Sequence, residues 1–315
     1  MLQLRTGSYL KLLFIVLLVS FLLSACKNLE DRTIPENSVS IPAEQSSNNF
    51  PIEQPDSDYH EQKKIPKYFD SVGYDRFVMR FIDSQEKDTP VPGAKVIFEK
   101  NGQKIRSITD SNGFVEIRSF PFTEEDDKLG RIKYTVQANG YDILEDKSPC
   151  FQREIGLSKT IKKQGTYRIV LSWGKRPLDI DSHLWFKDNH VYYHSKKGTR
   201  PNMFSDLDRD DIDSFGPETT TIRKVFRNEN YLFAVHDYTN RKSNSSKRLS
   251  FSDARVVVYA YNSNRPIKKF YIPKNVSGTI WYVFYFNKNF EIKEINTFDY
   301  KVKGGDKFPY EYMLR

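Results

Sequence analysis

Apolar and polar positions alternate with a period of two along much of the chain. In RFVMRFID, residues 76–83, Phe77, Met79 and Phe81 alternate with Arg76, Val78 and Arg80. That spacing puts the first set on one face of a strand. AKVIFEKNGQKIRSIT, residues 94–109, reads as two strands folded about Asn101-Gly102. A two-residue hairpin turn needs positive φ at both central positions, which Asn and Gly tolerate. SNGFVEI (111–117) and RIKYTVQANGY (131–141) supply further strands. TYRIVLSW (166–173) sets Tyr167, Ile169, Leu171 and Trp173 on one face, and NYLFAVHDY, ARVVVYAY and GTIWYVFYF follow as β-branched and aromatic runs. No segment sustains a 3.6-residue period, and the EEDD run at 124–127 reads as a solvated loop. The predicted class is all-β, with two tandem β-sandwiches over 67–160 and 161–300, the second jelly-roll-like. Residues 301–315 form a C-terminal tail.

The first 66 residues break this pattern. Arg5 and Lys11 precede the apolar run LLFIVLLVSFLL at 12–23, too short for a mature membrane span. The run ends in LSAC, with Ala25 directly before Cys26. This resembles the lipobox of bacterial lipoproteins. The resemblance implies cleavage after residue 25, acylation of Cys26 and a lasting membrane anchor, since each buried CH2 contributes about 0.8 kcal/mol. Lys27 stands where Asp often signals inner-membrane retention, which favours the outer membrane in a Gram-negative host. Residues 26–66 then read as a tether, with Pro35, Pro42, Pro51, Pro55 and Pro66, a SSNN run and no apolar periodicity. His60 lies in it.

Composition adds three points. Aromatic residues make up 14% of the chain, which suits strands. The net charge is +8, unevenly placed: residues 161–315 hold 28 basic against 17 acidic side chains. The basic loops 240–248 and 265–269 could meet an anionic polysaccharide, and no nucleic-acid motif accompanies them. The chain has two Cys, so acylation of Cys26 leaves Cys150 without a disulfide partner; in SPCF it reads as a small buried hydrophobe.

Candidate chemistry centres on DIDSHLWF, 179–186. As a strand it shows Asp179, Asp181, His183 and Trp185 on one face and Ile180, Ser182, Leu184 and Phe186 on the core face. If Asp188-Asn189 forms a two-residue turn, His183 faces His194 across the hairpin, and His190 is exposed at the turn. Two imidazoles at that distance, with Asp181 beside them, suit a transition metal. A loop of different length would separate them. DLDRDDIDSFGPE follows, with Asp206, Asp208, Asp210, Asp211 and Asp213 within eight residues. Such carboxylates suit Ca2+. Asp211 and Pro217 occupy positions where an EF-hand needs Gly and Glu, so this is no EF-hand. The alternative is neutralisation by the basic loops. Ser182, His236 and Asp237 do not make a triad, because adjacent strand residues point to opposite faces. Neither G-x-S-x-G nor H-E-x-x-H occurs.

Two further resemblances organise these residues. PVPGAKVIF, TDSNGFVEI and YTVQANGYD together resemble the carboxypeptidase-regulatory-like, transthyretin-like sandwiches, which implies an Ig-like module without catalytic residues. LSWGKRPLDIDSHLWF, HVYYHS, DIDSFGPETTTI, YLFAVHDYT, DARVVVY and GTIWYVFYF resemble the YfaP-like family, a bacterial domain of unknown function. Positions shared with that pattern are Trp173, Asp179, Asp181, Ser182, His183, Gly216, Pro217, Glu218, Thr219, His236, Asp237 and Tyr238. The resemblance implies one constellation and names no ligand. The resulting expectation is a lipid-anchored cell-envelope protein acting as a non-catalytic binding or assembly module. It would hold structural Ca2+ through Asp179, Asp181, the Asp-rich loop and Glu218, and its partner would be an envelope protein or polysaccharide. The alternative is a metal-dependent envelope enzyme using His183, His194 and His236.

Overall fold

The computed structural model describes residues 76–147, 154–198, 205–226, 228–243 and 245–301, with 309 and 311. Cys26, His60, Cys150, the signal segment and the tether lie outside the described residues. The fold is all-β and sandwich-like, as the alternation predicts.

The first sandwich comprises β1 (Arg76–Asp83), β2 (Lys95–Lys100), β3 (Gln103–Ile108), β4 (Phe114–Arg118), β5 (Lys133–Gln137), β6 (Leu144–Lys147) and β7 (Glu154–Leu157). The sheet β4-β1-β7 faces the sheet β3-β2-β5-β6. Lys100 pairs with Gln103, and Asn101 and Gly102 both take positive φ, so the Asn-Gly hairpin forms where the sequence places it. Phe77, Met79 and Phe81 enter the core with Phe98, Tyr134 and Val136. Phe77 stacks on Phe120 at 4.1 Å between centroids, and Phe98 meets both edge-on.

One expectation fails in this half. EEDD is not a solvated loop: Glu124–Lys128 forms a short helix, α1, with Asp126 and Asp127 buried. Thr123 caps it, accepting from the Asp126 N–H while Asp126 accepts from the Thr123 N–H. This reciprocal capping box satisfies two helix-end donors. Lys100 pairs with the Asp126 carboxylate and makes its burial tolerable.

The second sandwich comprises β8 (Tyr167–Ser172), β9 (Ile180–Phe186), β10 (Asn189–Val191), β11 (Ser205–Arg209), β12 (Glu218–Ile222), β13 (Tyr231–Asp237), β14 (Arg255–Ala260), β15 (Lys268–Tyr271), β16 (Ile280–Phe286) and β17 (Ile292–Asp299). Two five-stranded sheets result, β10-β9-β13-β16-β17 and β11-β12-β8-β14-β15, with every pair antiparallel. Ile169, Leu171 and Trp173 from β8 and its end pack inward against Leu184, Phe186 and Phe233.

The two sandwiches share apolar packing. Val170, Val257 and Tyr259, on the other face of β8 and β14, complete the first core. A Cβ on Gly156 would lie 2.5 Å from the Pro217 ring, so β7 can approach this closely only with glycine there. Buried ion pairs line the same junction. Arg255 meets Asp146 at 2.7 Å; Arg80 and Arg209 flank Glu154 at 3.2 and 3.7 Å.

Candidate metal centre

Strands β9 and β13 build the site. Asp181 lies opposite His236, and His183 opposite Ala234. Opposed residues share a face, so Asp181, His183 and His236 converge on the side away from Leu184 and Phe186. The alternation read from DIDSHLWF therefore holds, although both faces are buried.

The hairpin register differs from expectation. Phe186 pairs with Asn189 and Trp185 with His190, so the turn is Lys187-Asp188. Lys187 takes the positive φ of 53° that this turn demands. The shift slides β10 by two residues against β9. His183 therefore meets His190 rather than His194: its Nδ1 lies 2.8 Å from His190 Nε2. His190 is buried, not exposed, and is stacked between Trp185 and Tyr192 at 4.3 and 4.0 Å. His194 is exposed and stays out of the cluster.

Glu218 reaches the site from the facing sheet. The turn before it is fixed by Gly216, at φ +73°, where a Cβ would lie 2.7 Å from the Trp173 ring. Glu218 then points inward, and its Oε2 accepts from the Ser182 N–H at 2.6 Å. The edge of β9 is open there, because β10 pairs only with residues 184–186. Ser182 faces inward, 3.1 Å from the Thr220 hydroxyl, and makes no triad contact.

Two sets of donors result. Asp181, His183 and His236 offer ligand atoms within 4.8 Å of one another, and so do Asp181, Asp210 and Glu218. The sets meet only at Asp181. His183 Nε2, His236 Nδ1 and Asp181 Oδ2 are buried without a hydrogen-bond partner, and so are Asp210 Oδ1 and Glu218 Oε1 apart from the contact between those two carboxyl groups. Burial of such atoms costs about 1–3 kcal/mol each unless something binds them.

The Asp-rich segment divides. Its first part is strand β11 rather than loop, and the period of two turns Asp206 and Asp208 away from the core, onto Arg223. Asp208 also accepts from Gln85 and Thr221. Asp211 pairs with Arg209 at 2.8 Å, and the Asp213 N–H donates to Asp211. Only Asp210 joins a donor set; Lys196 holds its other oxygen at 2.8 Å. Basic side chains thus neutralise most of the cluster, but they are Arg223, Arg209 and Lys196 rather than the basic loops 240–248 and 265–269.

Asp179 sits beside the site, with Oδ1 buried and without a partner, but belongs to neither set. Asp237 turns to the opposite face and accepts from Asn240. Tyr238 stays near the surface, 5.1 Å from Tyr193, with the Arg241 guanidinium 3.8 Å over its ring. Of the functional residues, sequence reasoning missed His190. Its signal was the alternation His183, Trp185, His190 and Tyr192, legible only once the turn is placed correctly.

Electrostatics follow burial. Burial, then the charges of Asp210 and Asp211, pushes Asp179 up to about 7. Burial, then Asp179 and Asp210, raises Asp181; burial, then Asp181 and Asp210, raises Glu218. Burial lowers His183, helped by His190 and His236, and lowers His236 to about 4, helped by Arg241. Neutral imidazoles are metal ligands, and carboxylates that resist ionisation are relieved by a nearby cation.

No family model matches the chain, and no curated protein does. The two family resemblances therefore rest on their motifs alone. Among solved structures, one similar chain is a candidate carbohydrate-binding protein from Bacteroides uniformis. It shares 10% identity, covering 63% of this chain and 95% of that one, with a TM-score of 0.18. A likeness that low carries no functional argument.

Proposed function

We propose that this chain is a lipid-anchored cell-envelope protein whose second sandwich is a non-catalytic binding or assembly module built on a metal ion. The ion is held by Asp181, His183 and His236. One observation carries the reading: three buried donors lie within 4.8 Å of one another, and each histidine has a buried ring nitrogen without a hydrogen-bond partner. Two imidazoles and a carboxylate suit Zn2+ or a similar transition metal better than Ca2+, which takes oxygen ligands. His190 fits a supporting role, since ligating histidines commonly engage a second group through the other ring nitrogen. That contact fixes the ring orientation of His183.

Burial of all three ligands favours a structural ion over a catalytic one, which needs an open position for substrate. Membrane attachment rests on the segment ending in Cys26. The partner class, an envelope protein or polysaccharide, rests on the basic loops around Arg241 and Arg265.

Metal analysis of the purified mature protein tests the reading. After chelation, Zn2+ is expected to restore one equivalent per chain and raise Tm. Co2+ in its place should give visible absorption, which His183→Ala and His236→Ala both abolish. A stripped protein that binds neither ion, with Tm unchanged, overturns it.

A further inference from the structure

The two donor sets share Asp181 yet do not merge into one. An ion with ligand bonds of about 2.0–2.2 Å needs its donors within roughly 4 Å of one another. The donors of Asp181, His183 and His236 lie within 4.8 Å of one another, close to that scale, and those of Asp181, Asp210 and Glu218 do so separately, a spacing that suits the longer bonds of about 2.3–2.6 Å to Ca2+. The second set contains oxygen only. Glu218 is 1% exposed; its Oε2 accepts from the Ser182 N–H, and its other polar contact is the Asp210 carboxyl. Asp210 Oδ1 is buried too, with Lys196 on Oδ2. Among the described residues, Lys196 is the only Lys or Arg within ion-pair distance of this set, and it is half exposed. Three carboxylates so close need a cation or protons between them.

We infer that Asp181 serves two cations at once, the second being a hard divalent ion of the Ca2+ class held with Asp210 and Glu218. This rests on the proposed His-containing site, because Asp181 must then act from both sides. A carboxylate has two oxygens and can give one to each ion. The oxygen-only set selects Ca2+ over a transition metal, as the imidazoles select the reverse. Glu218 also ties this second ion to β12, so it would clamp the facing sheets together where β10 leaves the β9 edge open.

Equilibrium dialysis of the stripped, full mature chain against Zn2+, Ca2+ and both, with elemental analysis, tests this. The expected result is one Zn2+ plus one Ca2+ per chain. Glu218→Gln keeps an acceptor for the Ser182 N–H, and Asp210→Asn is nearly isosteric. Each should weaken Ca2+ at least ten-fold and leave the Zn2+ equivalent in place. His183→Ala should do the opposite, and Asp181→Asn should weaken both. Near-ultraviolet circular dichroism confirms that each variant is folded. One Zn2+ without Ca2+ overturns this inference and leaves the proposed function standing; a proton-shared Glu218–Asp210 pair would give that result. No bound ion of either class overturns both. Undiminished Ca2+ binding in both Glu218→Gln and Asp210→Asn overturns the placement of the second ion.

Discussion

Two places in this molecule bury several charges, and they differ in one respect. At the junction between the sandwiches three buried carboxylates have arginines: Asp146 has Arg255, Glu154 has Arg80 and Arg209, and Asp211 has Arg209. At the end of β9, Asp179, Asp181 and Glu218 are buried with no Lys or Arg within ion-pair distance among the described residues. Removing a charge from water costs several kcal/mol unless a partner offsets it. A chain that matches its charges in one place and leaves them unmatched in another points to a partner from outside. The contrast separates ion pairs that hold domains together from carboxylates at which the proposed cation would bind.

The largest effect should come from breaking the matched side. Arg255→Met leaves Asp146 buried with only Tyr271 and backbone groups, and should cost about 3–5 kcal/mol in urea unfolding of the full chain. A cost below about 1 kcal/mol would mean that the junction is wetter than the packing implies. Next comes completion of the unmatched side. Zn2+ held at about 100 times its Kd should add about 2.7 kcal/mol to the stripped protein, and nothing to His183→Ala. Equal stabilisation of both proteins would dissolve the comparison.

A third case lies between the two. Burial raises the Asp126 carboxyl, but hydrogen bonds from Lys100 and Thr123 outweigh it and hold it at about 2. The folded value lies below the ordinary 3.8, so the stabilisation is present above pH 3.8 and is lost as pH falls through 2. Asp126→Asn should therefore cost about 1–2 kcal/mol at pH 7, and the gap from wild type should shrink as pH falls from 3.8 through 2. A gap as large at pH 2 as at pH 7 would assign the loss to packing. The smallest effect belongs to Arg223→Ala. Arg223 is 46% exposed and meets Asp206 and Asp208 at the surface, so the loss should stay below about 1 kcal/mol and shrink further in salt. A larger loss would move those aspartates from the surface class into the junction.

What could be read from the sequence was mostly local. The faces of β1, β8 and β9 follow from a period of two, and the Asn101-Gly102 hairpin follows from the φ its turn requires. Helix α1 was also local, written in the spacing of Thr123 and Asp126, but four consecutive acids read more readily as solvent-facing. The His183 partner was out of reach for a different reason. Its turn, Lys187-Asp188, carries no glycine or asparagine, so nothing in composition set it apart from Asp188-Asn189. Asp181, His183, His236 and Glu218 were all recognised as candidates. Their division into a nitrogen-containing set and an oxygen-only set depends on β12 crossing to the open edge of β9, a long-range contact that no residue spacing encodes.

Val170, Val257 and Tyr259 complete the core of the first sandwich, and this has a consequence for the order in which the chain can fold. As the chain emerges from its N-terminus, β1 to β7 can bring their own two sheets together, but the part of the core that Val257 and Tyr259 cover waits for a strand far later in the chain. Until β14 arrives, that part is exposed and adhesive. The first sandwich is thus first to be made and among the last to be finished, and the interval between is when the chain most needs protection from its neighbours.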